Sequence, residues 1–266
     1  GKLIGKILST PIFPEIFPDS DSLGLAYNFY YTRELNEQKF TLKKRLLRFF
    51  QGSIATDLFP NKLKNLLDYG CGSGDFLIEV SKKFPNINLF GSDISKPPDG
   101  YEKYFKFYDN DNLYLDNNKY NWISLNHVFE HLEDSFSTIY SLNSILDNDG
   151  VIYVATPNAN SILIDLFGRH ARDIDFPRHR QIYSESCIKE LFEKLGYKCT
   201  FLKPPLINTI LPFLQSMKNL YKDNSIATYK KFWKSVFISS KFLKFLIINN
   251  VDAISRRSEI IVLAKK

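Results

Sequence analysis

"LLDYGCGSGDFL", residues 66–77, places three of the chain's 12 glycines within five positions, immediately after a short apolar run. Gly70, Gly72 and Gly74 follow Asp68 at two-residue steps, in the pattern D-x-G-x-G-x-G. The run reads as a strand ending on Asp68. The turn after it must let backbone approach a ligand closely, because glycine permits positive φ and carries no side chain at the contact. "DFLIEV" then begins a helix whose first N–H groups point at the same place. A dinucleotide fingerprint, G-x-G-x-x-G, would need glycine at position 75, where Asp75 would set a carboxylate against a pyrophosphate. A phosphate ligand is disfavoured, and with it a nicotinamide dehydrogenase.

Outward from this turn, apolar runs alternate with helical patterns. "NLLD", "INLFGSD", "NWISLN", "GVIYVATPN", "YKCTFL" and "EIIVLAKK" read as strands; "DFLIEVSKKF", "DSFSTIYSLNSIL" and "SESCIKELFEKLG" read as helices. Such alternation predicts an α/β, doubly wound and mostly parallel sheet with both faces covered. Ligands bind such sheets at the carboxyl ends of the strands, near the point where strand order reverses. The loops after Asp68, Ser92, Asn126 and Thr156 are therefore expected to face one another. "STPIFPEIFPDS" reads as part of an irregular arm. "NEQKFTLKKRLLRFF", residues 36–50, has the apolar spacing of an amphipathic helix.

With 266 residues and 44% hydrophobic composition, the chain can bury one large core with elaborations. Cys71, Cys187 and Cys199 show no paired spacing, which suggests a reducing, cytoplasmic setting. No apolar run approaches the roughly 20 residues of a spanning helix. The net charge of +6 is local: residues 203–249 hold eight Lys, one Asp and no Arg, hence +7. A nucleic-acid binder would distribute Arg and Lys around its cleft, so no nucleic-acid partner is expected.

"LLDYGCGSGDFL", "FGSDIS", "NHVFEHLED" and "NDGVIYVATPN", in this order, resemble the motifs of class I S-adenosylmethionine-dependent methyltransferases. "EHLED", "TPN" and "DFPRHRQIYS" are similar to a branch that includes ubiquinone-biosynthesis O-methyltransferases and bacterial surface-glycan enzymes. The resemblance implies a seven-stranded Rossmann-like sheet. It divides the chain into an N-terminal arm and helical lid (1–60), a cofactor-binding core (61–202), a basic helical insertion (203–250) and a final strand (251–266). It also implies S-adenosyl-L-methionine as cofactor, with Gly70, Cys71, Gly72 and Gly74 passing beneath its methionine part and Asp68 near its amino group. Asp93 would accept hydrogen bonds from both ribose hydroxyls, a role suited to a group that only accepts. Ile94 stands beside it, and Asp109 and Asn110 match the adenine-contacting position. Asn126 and His127 would border the methionine end. Two departures stand out: Tyr120-Asn121 replaces the usual aromatic-Asp pair, and "LDNDG" replaces Lys-Pro-Gly-Gly.

Methyl transfer to an alcohol requires loss of the hydroxyl proton, and a neutral histidine is suited to take it. Among the four histidines, His179 is the first candidate base and His131 the second. His127 and His131, four apart, would share a helical face. Their spacing resembles a zinc pair, but Val128 stands where H-E-x-x-H has Glu, and no metal is expected. Asp175, Arg178 and Tyr183 complete the acceptor side, Arg178 by a two-pronged contact to an anionic group. Ser184 reads as the N-cap of the following helix.

The expected acceptor is a sugar hydroxyl of a surface polysaccharide or its precursor. A small phenol or quinone precursor comes next, and a catalytically silent binding module is the rival of another class. In residues 230–246 a helical projection groups Lys230, Lys234, Lys241 and Lys244 within an arc of about 80°, opposite Phe232, Val236 and Leu246. This helix packs on the core, joins an oligomer, or rests on anionic lipid at the inner membrane face.

Overall fold

The structure is a computed structural model that describes residues 3–4, 13–14, 55–110, 112–115, 117–205, 207–222 and 256–266. The helix expected at 36–50 and the lysine stripe at 230–246 lie outside the described residues. Within the N-terminal arm, β1 (Leu3–Ile4) and β2 (Phe13–Pro14) form a small antiparallel pair where the sequence suggested irregular chain.

The core follows as β3 (Asn65–Tyr69), α1 (Asp75–Lys83), β4 (Asn88–Asp93), β5 (Lys106–Asp109), β6 (Tyr120–Asn126), α2 (Ser135–Ile145), β7 (Leu146–Pro157), α3 (Ile162–Phe167), α4 (Glu185–Lys194), β8 (Lys198–Leu202), α5 (Ile207–Lys222) and β9 (Glu259–Lys265). Seven strands make one sheet in the order β5-β4-β3-β6-β7-β9-β8. β3 to β7 pair in parallel, and β9 runs against both of its neighbours, β7 and β8. The chain winds outward from β3 to β5, then returns to lay β6 on β3's other side. That reversal opens the ligand crevice between the ends of β3 and β6.

Two consecutive leucines show how the sheet is sealed. Leu66 packs with Leu77 and Val80 of α1, Trp122 and Tyr153 on one face. Leu67 points the other way, to Ile123, Ile139 and Leu142 of α2, and Ile188 and Phe192 of α4. Strand side chains alternate, so covering both faces requires apolar residues at both phases. A third cluster, of Leu163, Phe167, Phe213 and Met217, fastens α5 against α3 beyond the sheet. Asn121, the departure from the family pattern, binds structure at the far end of the sheet. Its carbonyl accepts from the backbone of Lys64 and Asn65, each at 3.1 Å, and its amide donates to Asp147 at 2.9 Å.

Candidate active site

The register brings the site together. Asp68 pairs with Ser124 and Gly91, and Asp93 pairs with Asp109, so carboxylates end neighbouring strands on one edge of the sheet. The glycine turn folds over them. Gly70 and Cys71 donate their N–H groups to the Ser92 carbonyl at 2.6 and 3.0 Å, and Gly72 donates to Asp93 Oδ2 at 2.8 Å. Gly70, Gly72 and Gly74 all have positive φ, the conformation that the sequence called for. At Gly72 a Cβ would meet nothing within 4 Å. The loop therefore has open space in front of it, a cradle that a side chain would occupy.

Asp68 is almost fully buried. Burial pushes its carboxyl up to about 7, against the opposing hydrogen bonds from Ser124 Oγ at 2.7 Å and the Asn126 amide at 3.4 Å. A buried acid held near neutrality is suited to a cationic partner, and the ammonium of a methionine moiety is one. Asp93 spends one oxygen on Gly72 and the other on Ser95 N–H at 3.3 Å, and each carboxylate oxygen keeps a further lone pair. Ile94 is 69% exposed directly beside it, an apolar side chain largely open to solvent. Asp109 caps a turn through Asn112 N and Nδ2 at 2.9 and 2.8 Å, and Asn110 Oδ1 accepts from Ser92 Oγ at 2.8 Å. Cys71 is buried, its thiol pushed up first by burial and then by Asp68 and Asp93, which disfavours the thiolate.

Beyond β6 the structure departs from expectation. His127 and His131 do not share a helical face. His127 sits outside the short 3-10 turn Phe129–His131, with φ 53°, and its N–H is held by the Ala155 carbonyl at 2.8 Å. Positive φ at a histidine is uncommon and costs backbone strain, which is found where surrounding structure imposes it. Here the ring is clamped between two buried carboxylates, Glu259 Oε1 at 3.0 Å and Glu130 Oε1 at 3.4 Å. Burial alone would push the imidazole down, but its contacts with Glu130 and Glu259 and their charge carry it up to about 10. His127 is thus an imidazolium at neutral pH. Glu130, opposed by burial, is held down to about 2 by His127, His179 and His131.

His179 is buried, its Nδ1–H donating to the Asp173 carbonyl at 2.8 Å. That bond assigns the lone pair to Nε2, which lies 3.9 Å from Glu130 Oε1. Burial pushes the ring below its usual range, so it is neutral at pH 7. His131 lies edge-on to it at 4.9 Å between centroids, with Nδ1–H on the Arg178 carbonyl at 2.7 Å. Among the described residues, Glu130, His131 and His179 offer ligand atoms within 4.8 Å of one another. A cation placed there would share Glu130 Oε1 with the His127 imidazolium, a like charge that opposes it.

On the acceptor side, Arg178 makes a salt bridge to Asp175, both side chains partly exposed. Tyr183 is buried in the core against Phe129, its hydroxyl paired with Ser135 at 2.8 Å and Gln181 at 2.5 Å, too enclosed to touch an acceptor. Ser184 caps α4 as expected, accepting from Cys187 N–H at 3.3 Å. Sequence reasoning passed over Glu130, Glu259, Asp173 and Asn208. Their signal, a charged or amide group inside an apolar run such as "SEIIVLA", becomes legible only when burial is known.

Open glycine cradle, buried Asp68 and the reversal between β3 and β6 define an S-adenosylmethionine-dependent methyltransferase of Rossmann-like fold. A family model described as a methyltransferase domain matches residues 32–201, more than half of the chain, and the chain belongs to that family. It is 24% identical over 185 residues to malonyl-[acyl-carrier protein] O-methyltransferase 2 of Ilyobacter polytropus, covering 65% of this chain and 71% of that protein. It is 35% identical over 91 residues to a tRNA (guanine-N(7)-)-methyltransferase of Mycoplasma capricolum, a match to 32% of this chain that spans only 40% of the relative's length. A plantazolicin methyltransferase crystallised with a triazolic desmethylPZN analog and SAH has the same fold, with a TM-score of 0.52 at 17% identity over 94% of this chain and 91% of that one.

Proposed function

We propose that the protein methylates an oxygen, with a sugar hydroxyl of a surface polysaccharide or its precursor as acceptor and His179 as the base. S-adenosylmethionine supplies an activated methyl on a sulfonium, and transfer is an in-line displacement in which alignment and exclusion of water supply much of the rate. On this reading Gly70, Gly72, Gly74 and Asp68 hold the methionine part, Asp93 the ribose, and Ile94, Asp109 and Asn110 the adenine end. His127 is fixed as an imidazolium between Glu130 and Glu259, so it positions and does not abstract a proton.

The neutral His179 carries the proposal. Its Nδ1–H is committed to Asp173, its Nε2 holds the lone pair, and Glu130 lies 3.9 Å away to stabilise the imidazolium formed when a hydroxyl proton arrives. His179→Ala and His131→Ala variants with unchanged S-adenosylhomocysteine affinity test it. His179→Ala is expected to lower turnover by about 100-fold or more, with a smaller loss at His131. Equal, unchanged turnover in both variants removes base catalysis by histidine. The acceptor class is tested by mass spectrometry of glycan extracts with and without the protein, where methylated sugars are expected to vary with its presence. The lysine stripe at 230–246 supports, through its charge, peripheral contact with anionic lipid; salt-sensitive flotation with anionic but not neutral vesicles is the expected result.

A further inference from the structure

Beside His127 lies a cavity of about 250 Å³ whose polar wall includes His127, Arg172, Asp173, Asn208, Gln215 and Glu259. We propose that this cavity is the acceptor subsite and that it holds a neutral pyranose ring by hydroxyls neighbouring the one that is methylated. The inference rests on the methyltransferase reading and goes further, in naming the residues that grip the sugar.

Position is the first argument. His127 follows Asn126, whose amide reaches Asp68 beneath the glycine turn, so the cavity opens one residue from the cofactor cradle. The second is charge. Arg172 pairs at 3.0 Å with Asp173, whose carboxyl burial pushes up, and His127 pairs with Glu259 at 3.0 Å and with Glu130 at 3.4 Å, so the charges of the wall are engaged with one another. What the wall presents is both donors and acceptors, which is what a hydroxyl uses.

The third argument is what the wall lacks. Asp173 Oδ2 and Asn208 Oδ1 are buried without a hydrogen-bond partner. Both sit on residues more than nine-tenths buried, and Asn208's orientation is fixed because its amide donates to Glu259 at 2.5 Å. Orphaned buried polar atoms are rare and costly; Asn208 Oδ1 calls for a donor, and Asp173, its carboxyl pushed up by burial, calls for a group that can donate or accept, both of which a hydroxyl supplies. The fourth is shape. Among the described residues, the apolar part of the wall is Pro157, Leu211 and Pro212, with no Phe, Tyr or Trp. Aliphatic patches suit the C–H face of a saturated ring, whereas a phenol or quinone would gain most from a flat aromatic wall. The volume falls near the low end of ligand pockets, enough for one such ring. Much of this wall comes from α5, which lies outside the sheet's own winding and is therefore free to specialise for the acceptor.

The test is saturation-transfer NMR on the full chain loaded with S-adenosylhomocysteine, offered a set of neutral methyl pyranosides and, separately, methyl 4-hydroxybenzoate. At least one pyranoside is expected to bind, and to weaken by about tenfold or more in Leu211→Trp, which fills the cavity, and in Asp173→Asn, which alters the orphan oxygen. Leu211 is half-buried, so its variant tests the cavity even if Asp173→Asn folds poorly. Binding of the phenol alone, or pyranoside binding unchanged in Leu211→Trp, overturns the inference. A chain that binds S-adenosylhomocysteine but no pyranoside sinks this subsite and leaves the methyltransferase reading intact. A chain that fails to bind S-adenosylhomocysteine sinks the underlying reading itself.

Discussion

At the scale of single residues, the site is organised by carboxyl groups whose surroundings push them in opposite directions. Asp68 is raised to about 7, mainly by burial, whereas Glu130 is held near 2 by the imidazoles around it. One is therefore poised to change charge at physiological pH and the other is a fixed anion. If Asp68 receives the cofactor's ammonium, binding requires the ionised form. The affinity for S-adenosylhomocysteine should then be level above pH 7.5 or so and fall toward a limit of about tenfold per unit below pH 7, with one proton released on binding. Calorimetry from pH 5.5 to 8.5 in buffers of different ionisation enthalpy measures both. Asp68→Asn should bind more weakly and lose the pH dependence; an unchanged slope in that variant places the titrating group elsewhere.

At the scale of elements, the glycine turn separates two jobs that the sequence pattern merges. A Cβ at Gly70 would come within 2.3 Å of Val128 Cγ2, so that glycine is required by the protein's own packing. A Cβ at Gly72 meets nothing, so packing does not require that glycine; its φ of 54° favours it, and the open space leaves room for the cofactor proposed there. Gly72→Ala, with φ at 54°, should cost roughly 1–2 kcal/mol in stability, read as a modest fall in melting temperature. Its loss of S-adenosylhomocysteine affinity should be larger, about tenfold or more. Gly70→Ala should show the reverse emphasis, with the larger effect on folding. The turn was legible because alternating glycines have few other uses, and the strands Asn65–Tyr69, Asn88–Asp93 and Tyr120–Asn126 because their apolar runs are bounded by polar turns. Lys106–Asp109 was not, since "KFYD" is too short and too polar to show a period. The face shared by His127 and His131 was misread because four-residue spacing presumes a helix, and the clamp on His127 breaks it.

At the scale of the whole molecule, Glu259 at the start of the final strand reaches back to His127 at the end of β6, closing a buried charge cluster across more than a hundred residues of chain. Nothing local in the sequence announces this, because each partner is ordinary in its own segment. The cluster ties stability to pH in two directions. His127 is raised above its unfolded value, so its contribution is fully present below about pH 6.5 and is lost as pH rises through 10. Glu130 is lowered, so its contribution is present above about pH 4.5 and is lost as pH falls through 2. Both hold together between about pH 4.5 and 6.5, where the cluster stabilises the fold most. Solvent at the exposed third of His127 screens the pair and moderates the gain. Replacing His127 by Gln leaves two buried carboxylates facing each other without a cation, at a cost of roughly 3 kcal/mol. It should also shift the pH dependence. The parent already grows more stable as pH is lowered from 7, because raised His127 and Asp68 hold protons in the folded state that the unfolded chain releases. The variant loses the His127 share and gains one from Glu130, whose pKa rises once His127 no longer holds it down, so the steep part of its curve moves toward pH 5. Urea denaturation of both proteins across that range gives the two slopes. Parallel curves would mean that His127 is not the charge that keeps Glu130 ionised.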